Sequence, residues 1–138
     1  MQTFTGVLVT THTTQSYNYL LTKEYGLLRI FSNSINLLRG SLVMIEGEIA
    51  SHTIKRAYLE PLALPASWVI DDIAFFHTLL RWIELLAPLG CPIPEAWNII
   101  FVLYNHDDTD LSSIDLEWAK KILLWCLMRS VGIVPHEQ

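Results

Sequence analysis

The chain has 138 residues, 51% apolar and only 17% charged, which excludes a disordered segment and allows one compact domain or two small subdomains sharing a core. Its formal net charge of −5 is unevenly spread: residues 1–66 hold five basic against four acidic side chains, and residues 67–138 hold four against ten. A dedicated nucleic-acid binder is ordinarily strongly basic, because phosphate neutralisation supplies most non-specific affinity, and the chain as a whole lacks that footprint.

The first third reads as short strands separated by turns. Gly6–Thr10 is β-branched and apolar, and the polar run Thr11–Gln15 follows it. Tyr17–Thr22 alternates Tyr17, Tyr19 and Leu21 with Asn18, Leu20 and Thr22. Glu24-Tyr25-Gly26 is a turn in which Gly26 can take positive φ, and Leu27–Ser32 completes a hairpin. After the connector Asn33–Gly40, Leu42–Ala50 is a long strand with Val43, Ile45 and Ile49 on one face. Gly47 falls in the same row and suits a bulge or a sharp bend. Ser51-His52 is the next turn, Thr53–Glu60 the fifth strand, and Pro61 and Pro65 end the run. Five strands of this length close only a small barrel.

Helical patterns follow. Asp71 or Asp72 starts a helix to about Leu86, with Ile73, Phe76, Leu80, Ile83 and Ala87 on one stripe. Phe75, Leu79, Trp82 and Leu86 form a second stripe, so this helix is expected to be covered on two sides. Pro94 suits the first turn of a second helix running to about Tyr104. Ser112 with Asp115 resembles a capping box before a third helix, about Ser113 to Val131, with Gly132 and Pro135 as stop signals. The fold expected is α+β: a small five-stranded barrel over residues 1–64, then a bundle of about three helices over 65–138 packed on it.

Cys91 and Cys126 have no paired spacing, and Met1 is not followed by a charged and then apolar leader. A reduced, cytoplasmic setting with both thiols buried is the expectation. No apolar run reaches the ~20 residues that span a bilayer. The low charge predicts apolar surface left over for a partner or a second copy of the chain.

Several runs resemble one family. Gly6-Val7-Leu8-Val9-Thr10 and Leu21-Thr22-Lys23-Glu24-Tyr25-Gly26-Leu27-Leu28-Arg29 resemble the opening strand and hairpin of the DNA repair protein RecO. Pro92-Ile93-Pro94-Glu95 and Leu127-Met128-Arg129-Ser130-Val131-Gly132-Ile133-Val134-Pro135 resemble its approach to the second helix and its helix end. The resemblance covers nearly all of the chain but only the N-terminal part of a typical member, as a shortened or diverged relative would. The connector Ser32–Asn36 is neutral where the family is usually basic. The resemblance implies an OB-fold barrel, single-stranded DNA binding without catalysis, and docking with the tail of single-strand binding protein or with RecR.

Two candidate surfaces follow. On the barrel, Tyr17, Tyr19, Arg29 and Phe31 can share an outer face on which bases stack, with Lys23, Arg39, Lys55 and Arg56 following the phosphates. The competing reading is that the aromatics cover the junction between barrel and helices. Glu46 and Glu48, on the outward row of the fourth strand, oppose phosphate. On the third helix, Trp118, Ile122, Trp125 and Arg129 fall on one side with Lys120 and Lys121 nearby, a pattern suited to an acidic peptide tail. The competing reading there is a buried bundle helix.

No enzyme is expected. His106, Asp107, Asp108 and Asp110 have metal-ligand chemistry but no EF-hand spacing, and read as a polar, helix-capping loop. His12, His52 and His136 read as solvated, and His77 as set against the core. No nucleophile–base grouping, phosphate loop, metal site or cofactor motif stands out. The function expected is a non-enzymatic, RecO-like repair or recombination accessory; the alternative is an interaction or scaffold module that has lost nucleic-acid binding.

Overall fold

The computed structural model describes residues 2–11, 15–32, 37–63, 70–104 and 116–130. Five strands, β1 (Gln2–Leu8), β2 (Tyr17–Thr22), β3 (Gly26–Phe31), β4 (Leu42–Ala50) and β5 (Thr53–Ala63), precede three helices, α1 (Ile70–Leu86), α2 (Pro94–Tyr104) and α3 (Leu116–Ser130). The strands close into a barrel in the order β1-β2-β3-β5-β4, with β1 pairing antiparallel to both β2 and β4. Strands β3 and β5 pair in parallel over a short stretch: Arg29 faces Thr53 and Ile30 faces Ile54. This is an OB-like barrel in an α+β chain.

Strand alternation builds two apolar layers. Inward residues Phe4, Leu8, Leu20, Leu28, Ile30, Val43, Ile45 and Ile54 fill the barrel. Part of the outer wall (Val7, Val9, Leu21, Leu27 and Leu42) is equally buried, because it packs against Phe76, Leu79, Leu80 and Ile83 of α1 and Ala96, Trp97 and Ile100 of α2. Leu123, Cys126 and Leu127 of α3 complete this second layer. At roughly 1.5–3 kcal/mol for each fully buried large apolar side chain, the second layer is what fastens the helices to the barrel.

Several local features follow from single residues. Gly26 takes φ 71 and lies so close to the Cys91 backbone that no side chain fits. The ladder between β4 and β5 shifts register between Glu46 and Glu48, where a Cβ on Gly47 would meet Ile54 at 2.8 Å.

Three expectations are corrected. The first strand runs Gln2–Leu8 rather than Gly6–Thr10, since residues back to Gln2 pair with β4. Pro61 does not end the barrel: β5 continues to Ala63, with Pro61 opposite Val43 at a second register irregularity. Beyond Ile54 no β3 residue pairs with β5 among the described residues, so a missing N–H disrupts no second ladder. Cys91 is exposed, and only Cys126 is buried. Burial pushes the Cys126 thiol up from its ordinary value, with the Glu95 carboxylate adding to the effect, so it stays protonated.

The acidic loop with His106, Asp107, Asp108 and Asp110, the Ser112–Asp115 cap, the Gly132 and Pro135 stops, Pro65, His12 and His136 lie outside the described residues, as does most of the neutral connector.

Candidate functional site

The outer rows of β2 and β3 form three cross-strand pairs: Leu21 with Leu27, Tyr19 with Arg29, and Tyr17 with Phe31. The first pair is buried under the helices. Tyr19 is half-buried and packs against the same cluster. Tyr17 and Phe31 lie beyond it, with ring centroids 5.1 Å apart at an interplanar angle of 34°. Phe31 keeps 39% of its surface exposed. The Arg29 guanidinium carbon stands 5.3 Å from the centre of the Tyr17 ring, within cation–π range. Tyr19 thus covers the junction between barrel and helices, whereas Tyr17, Arg29 and Phe31 make a partly open cationic–aromatic face.

Hydrogen bonds hold that face in shape. The Arg29 backbone N–H donates to the His52 carbonyl (2.8 Å), and Nη2 donates to the Ser51 carbonyl (2.9 Å). Behind the face, Asn18 is buried in the inner row of β2. Its Nδ2 donates to Ser32 Oγ at 2.8 Å, and its Oδ1 accepts from Thr10 Oγ1 at 2.9 Å. Ser32 donates in turn to the Gln15 carbonyl. This network ties the ends of β1, β2 and β3 together at the point where Tyr17 and Phe31 emerge.

The expected cations do not gather. Lys55 lies on β5 one step past the Ile54–Ile30 pair, on the side of the open face, but its cross-strand partner on β4 is Glu48. Arg56 Nη1 sits 3.9 Å from Glu48 Oε1, with both side chains largely exposed. Glu48 thus pairs with Arg56 and stands across the ladder from Lys55, and Glu46 adds a second exposed carboxylate to the same outer row. Lys23 is at the opposite end of the hairpin. Arg39 is turned inward, against α1: its Nε donates to the Val9 carbonyl (2.8 Å), and burial lowers its pKa from the ordinary value, opposed by Glu84 and reinforced by Arg81. Its position also lowers the pKa of His77, after the larger effect of that imidazole's own burial. Lys23 and Arg39 therefore stand apart from the Tyr17–Arg29–Phe31 group, Lys23 in the β2–β3 turn and Arg39 held against the Val9 carbonyl.

On α3 the predicted side splits. Trp118 is 62% exposed and Trp125 42% exposed, and Lys121 is exposed with them. Ile122 instead packs against the core cluster, and Arg129 is half-buried. The helix is thus anchored by Leu123, Cys126 and Leu127 and turns two tryptophans and a lysine outward.

Sequence reasoning missed a cleft. A cavity of about 760 Å³ opens between the β1–β4 wall, the β2–β3 turn and α2. Phe4 and Trp97 form its buried floor, Tyr25, Met44 and Phe101 its half-buried walls, and Lys23, Glu24 and Asn98 part of its rim. Trp97 and Phe101 stack at 5.5 Å, and Phe4 meets Tyr25 edge-on at 5.3 Å. The spacing of Trp97 and Phe101 by one helical turn was the available signal, but it is indistinguishable from core packing without the third wall.

Among the described residues no three His, Cys, Asp or Glu side chains group as a metal site, and no helix is long and apolar enough to cross a membrane. No family model matches this chain, and no curated protein matches it.

Proposed function

We propose that this chain is a non-enzymatic, cytoplasmic accessory of the RecO kind that holds single-stranded DNA on the barrel and a protein partner on the helices. The observation that carries the reading is the Tyr17–Arg29–Phe31 group, a guanidinium 5.3 Å from one aromatic ring beside a second, partly exposed one. It lies on the β2–β3 face, the part of an OB barrel that binds oligonucleotides. Bases stack on such rings at about 1–3 kcal/mol each, whatever their identity. Few cations remain for phosphate, so binding is weak and its salt slope shallow, on the order of −0.7 per phosphate neutralised. The resemblance adds the partner: the tail of single-strand binding protein or a RecR-like protein, with Trp118, Lys121 and Trp125 the surface on offer.

Fluorescence anisotropy with labelled oligo(dT) at ~50 mM salt tests the DNA half. Saturable binding that weakens with salt and with Phe31→Ala supports it; no binding at that ionic strength ends it.

A second reading, an interaction module without nucleic-acid binding, is favoured by Glu48 facing both Lys55 and Arg56. It predicts that Arg29→Ala and Lys55→Glu leave function intact while Trp118→Ala and Trp125→Ala abolish it.

A further inference from the structure

We infer that the Ser51–His52 turn, clamped by the loop between α1 and α2, is the positioning element of the cationic–aromatic face, so that the helical half sets the geometry of the barrel's binding surface. The inference rests on the proposed strand-binding role of that face. Both turn residues adopt left-handed backbone without being glycine, Ser51 at φ 50 and His52 at φ 59. That conformation is the one a two-residue hairpin loop requires, and Asn-Gly is the usual way to reach it. Here it is held by contacts instead, and it aims two successive carbonyls at one residue: Ser51 at Arg29 Nη2, His52 at the Arg29 amide.

The clamp is made of shape. The His52 ring lies where a side chain on Gly90 would be, so only glycine lets the ring settle there. Gly90 is itself fixed by donating its N–H to the Leu27 carbonyl at 2.9 Å, next to the Leu27–Leu89 bridge. Arg29 has little else to hold it: its Nε is enclosed and has no hydrogen-bond partner. The guanidinium stays over Tyr17 because the Ser51 carbonyl keeps it there, and that carbonyl stays put because the loop between α1 and α2 backs the turn. Gly90, His52, Ser51 and Arg29 form one contiguous chain of contacts from the helices to the Tyr17 ring.

The test combines oligo(dT) anisotropy with the Nε–H resonance of Arg29, assigned by its loss in Arg29→Ala. In the wild type the enclosed Nε–H is protected and gives a sharp signal. Arg29→Ala weakens oligo(dT) binding about two- to fivefold, the worth of one exposed cation–π contact between the guanidinium and a base of the strand. Gly90→Ala, which displaces the His52 ring, and His52→Ala, which removes it, each broaden or shift the resonance and weaken binding by a similar factor. Neither adds to Arg29→Ala when combined with it, because they act through the same group. His52→Ala keeps the test valid if Gly90→Ala does not fold. An unchanged Arg29 resonance in folded His52→Ala, or effects on binding that add to Arg29→Ala, overturns the inference. If wild-type protein binds no oligo(dT) while the resonance still responds to His52→Ala, the positioning stands and the strand-binding reading falls.

Discussion

At its turn end the β2–β3 hairpin presents Leu21 and Leu27 to the helices, and both are almost fully buried. At its open end the same two rows present Tyr17 and Phe31, with Phe31 39% exposed and Arg29 between the ends. Backbone pairing is continuous from one end to the other. What changes is side-chain chemistry: aliphatic pairs that gain from a dry partner give way to aromatic and cationic groups that tolerate water on one face. The hairpin is thus scaffold at one end and candidate binding surface at the other, and Tyr19 marks the border.

The largest expected effect separates the two ends by stability. Leu27→Ala removes a buried side chain from the helix–barrel layer and costs about 2–5 kcal/mol. Phe31→Ala loses one partly exposed ring contact and costs about 1 kcal/mol or less. Urea unfolding of the two variants measures both. Equal losses would mean that the open end is as structural as the buried one.

The next effect concerns how the open end is built. Asn18→Ala leaves the Thr10 hydroxyl and Ser32 without their buried partner, at about 1–3 kcal/mol. Amide hydrogen exchange should quicken at Tyr17 and Phe31 before it does at Leu21 and Leu27. Uniform quickening along the hairpin would show one cooperative unit with no distinct open end.

A smaller effect tests the seam at the covered end. The His77 imidazole is held below its ordinary value of 6.5, chiefly by burial and then by Arg39. The folded protein therefore resists protonation that the unfolded chain accepts. As pH falls through 6.5 the unfolded state binds the extra proton first, so stability declines on acidification. The contribution is complete above 6.5 and lost progressively below it, until the folded group also protonates. The groups influencing this seam are Arg39 from the barrel connector and Arg81 and Glu84 from α1. His77→Gln should flatten that part of the pH–stability curve; an identical slope in wild type and variant would remove His77 from the account.

Much of this division is legible in the sequence. Alternation in Tyr17–Thr22 and Leu27–Phe31 put the right residues on the outer row, and Gly26 and Gly47 marked the turn and the bulge. The helices followed from apolar spacing. What sequence left open was which stretch of an outer row the helices cover. Leu21 and Tyr17 share a row, and only tertiary packing separates them. The same holds for Arg39 and Lys23: a basic residue between strands carries no local sign of the face it turns to. Pro61 reads as a terminator because a proline in a strand with ladders on both sides is costly, and the early separation of β5 from β3 is a long-range fact. Ser51-His52 reads as a turn in the sequence, but its left-handed backbone lacks the glycine or asparagine that usually marks one.

The smallest effect asks how far the open end extends. Glu48 lies opposite Lys55 in the ladder and stands 3.9 Å from Arg56, so its charge opposes the phosphate attraction of the β5 cations. Glu48→Gln keeps the shape and removes the charge. An exposed pair of this kind contributes about 0–1 kcal/mol, so stability should hardly move. Binding is the sensitive readout. Releasing about 0.5 kcal/mol of competing attraction raises oligo(dT) affinity about twofold at low salt, and the gain fades as screening sets in. A twofold rise that vanishes in high salt extends the binding surface from Phe31 across to β5. Unchanged affinity confines it to Tyr17, Arg29 and Phe31 and leaves Lys55 and Arg56 outside it, as Lys23 and Arg39 already are.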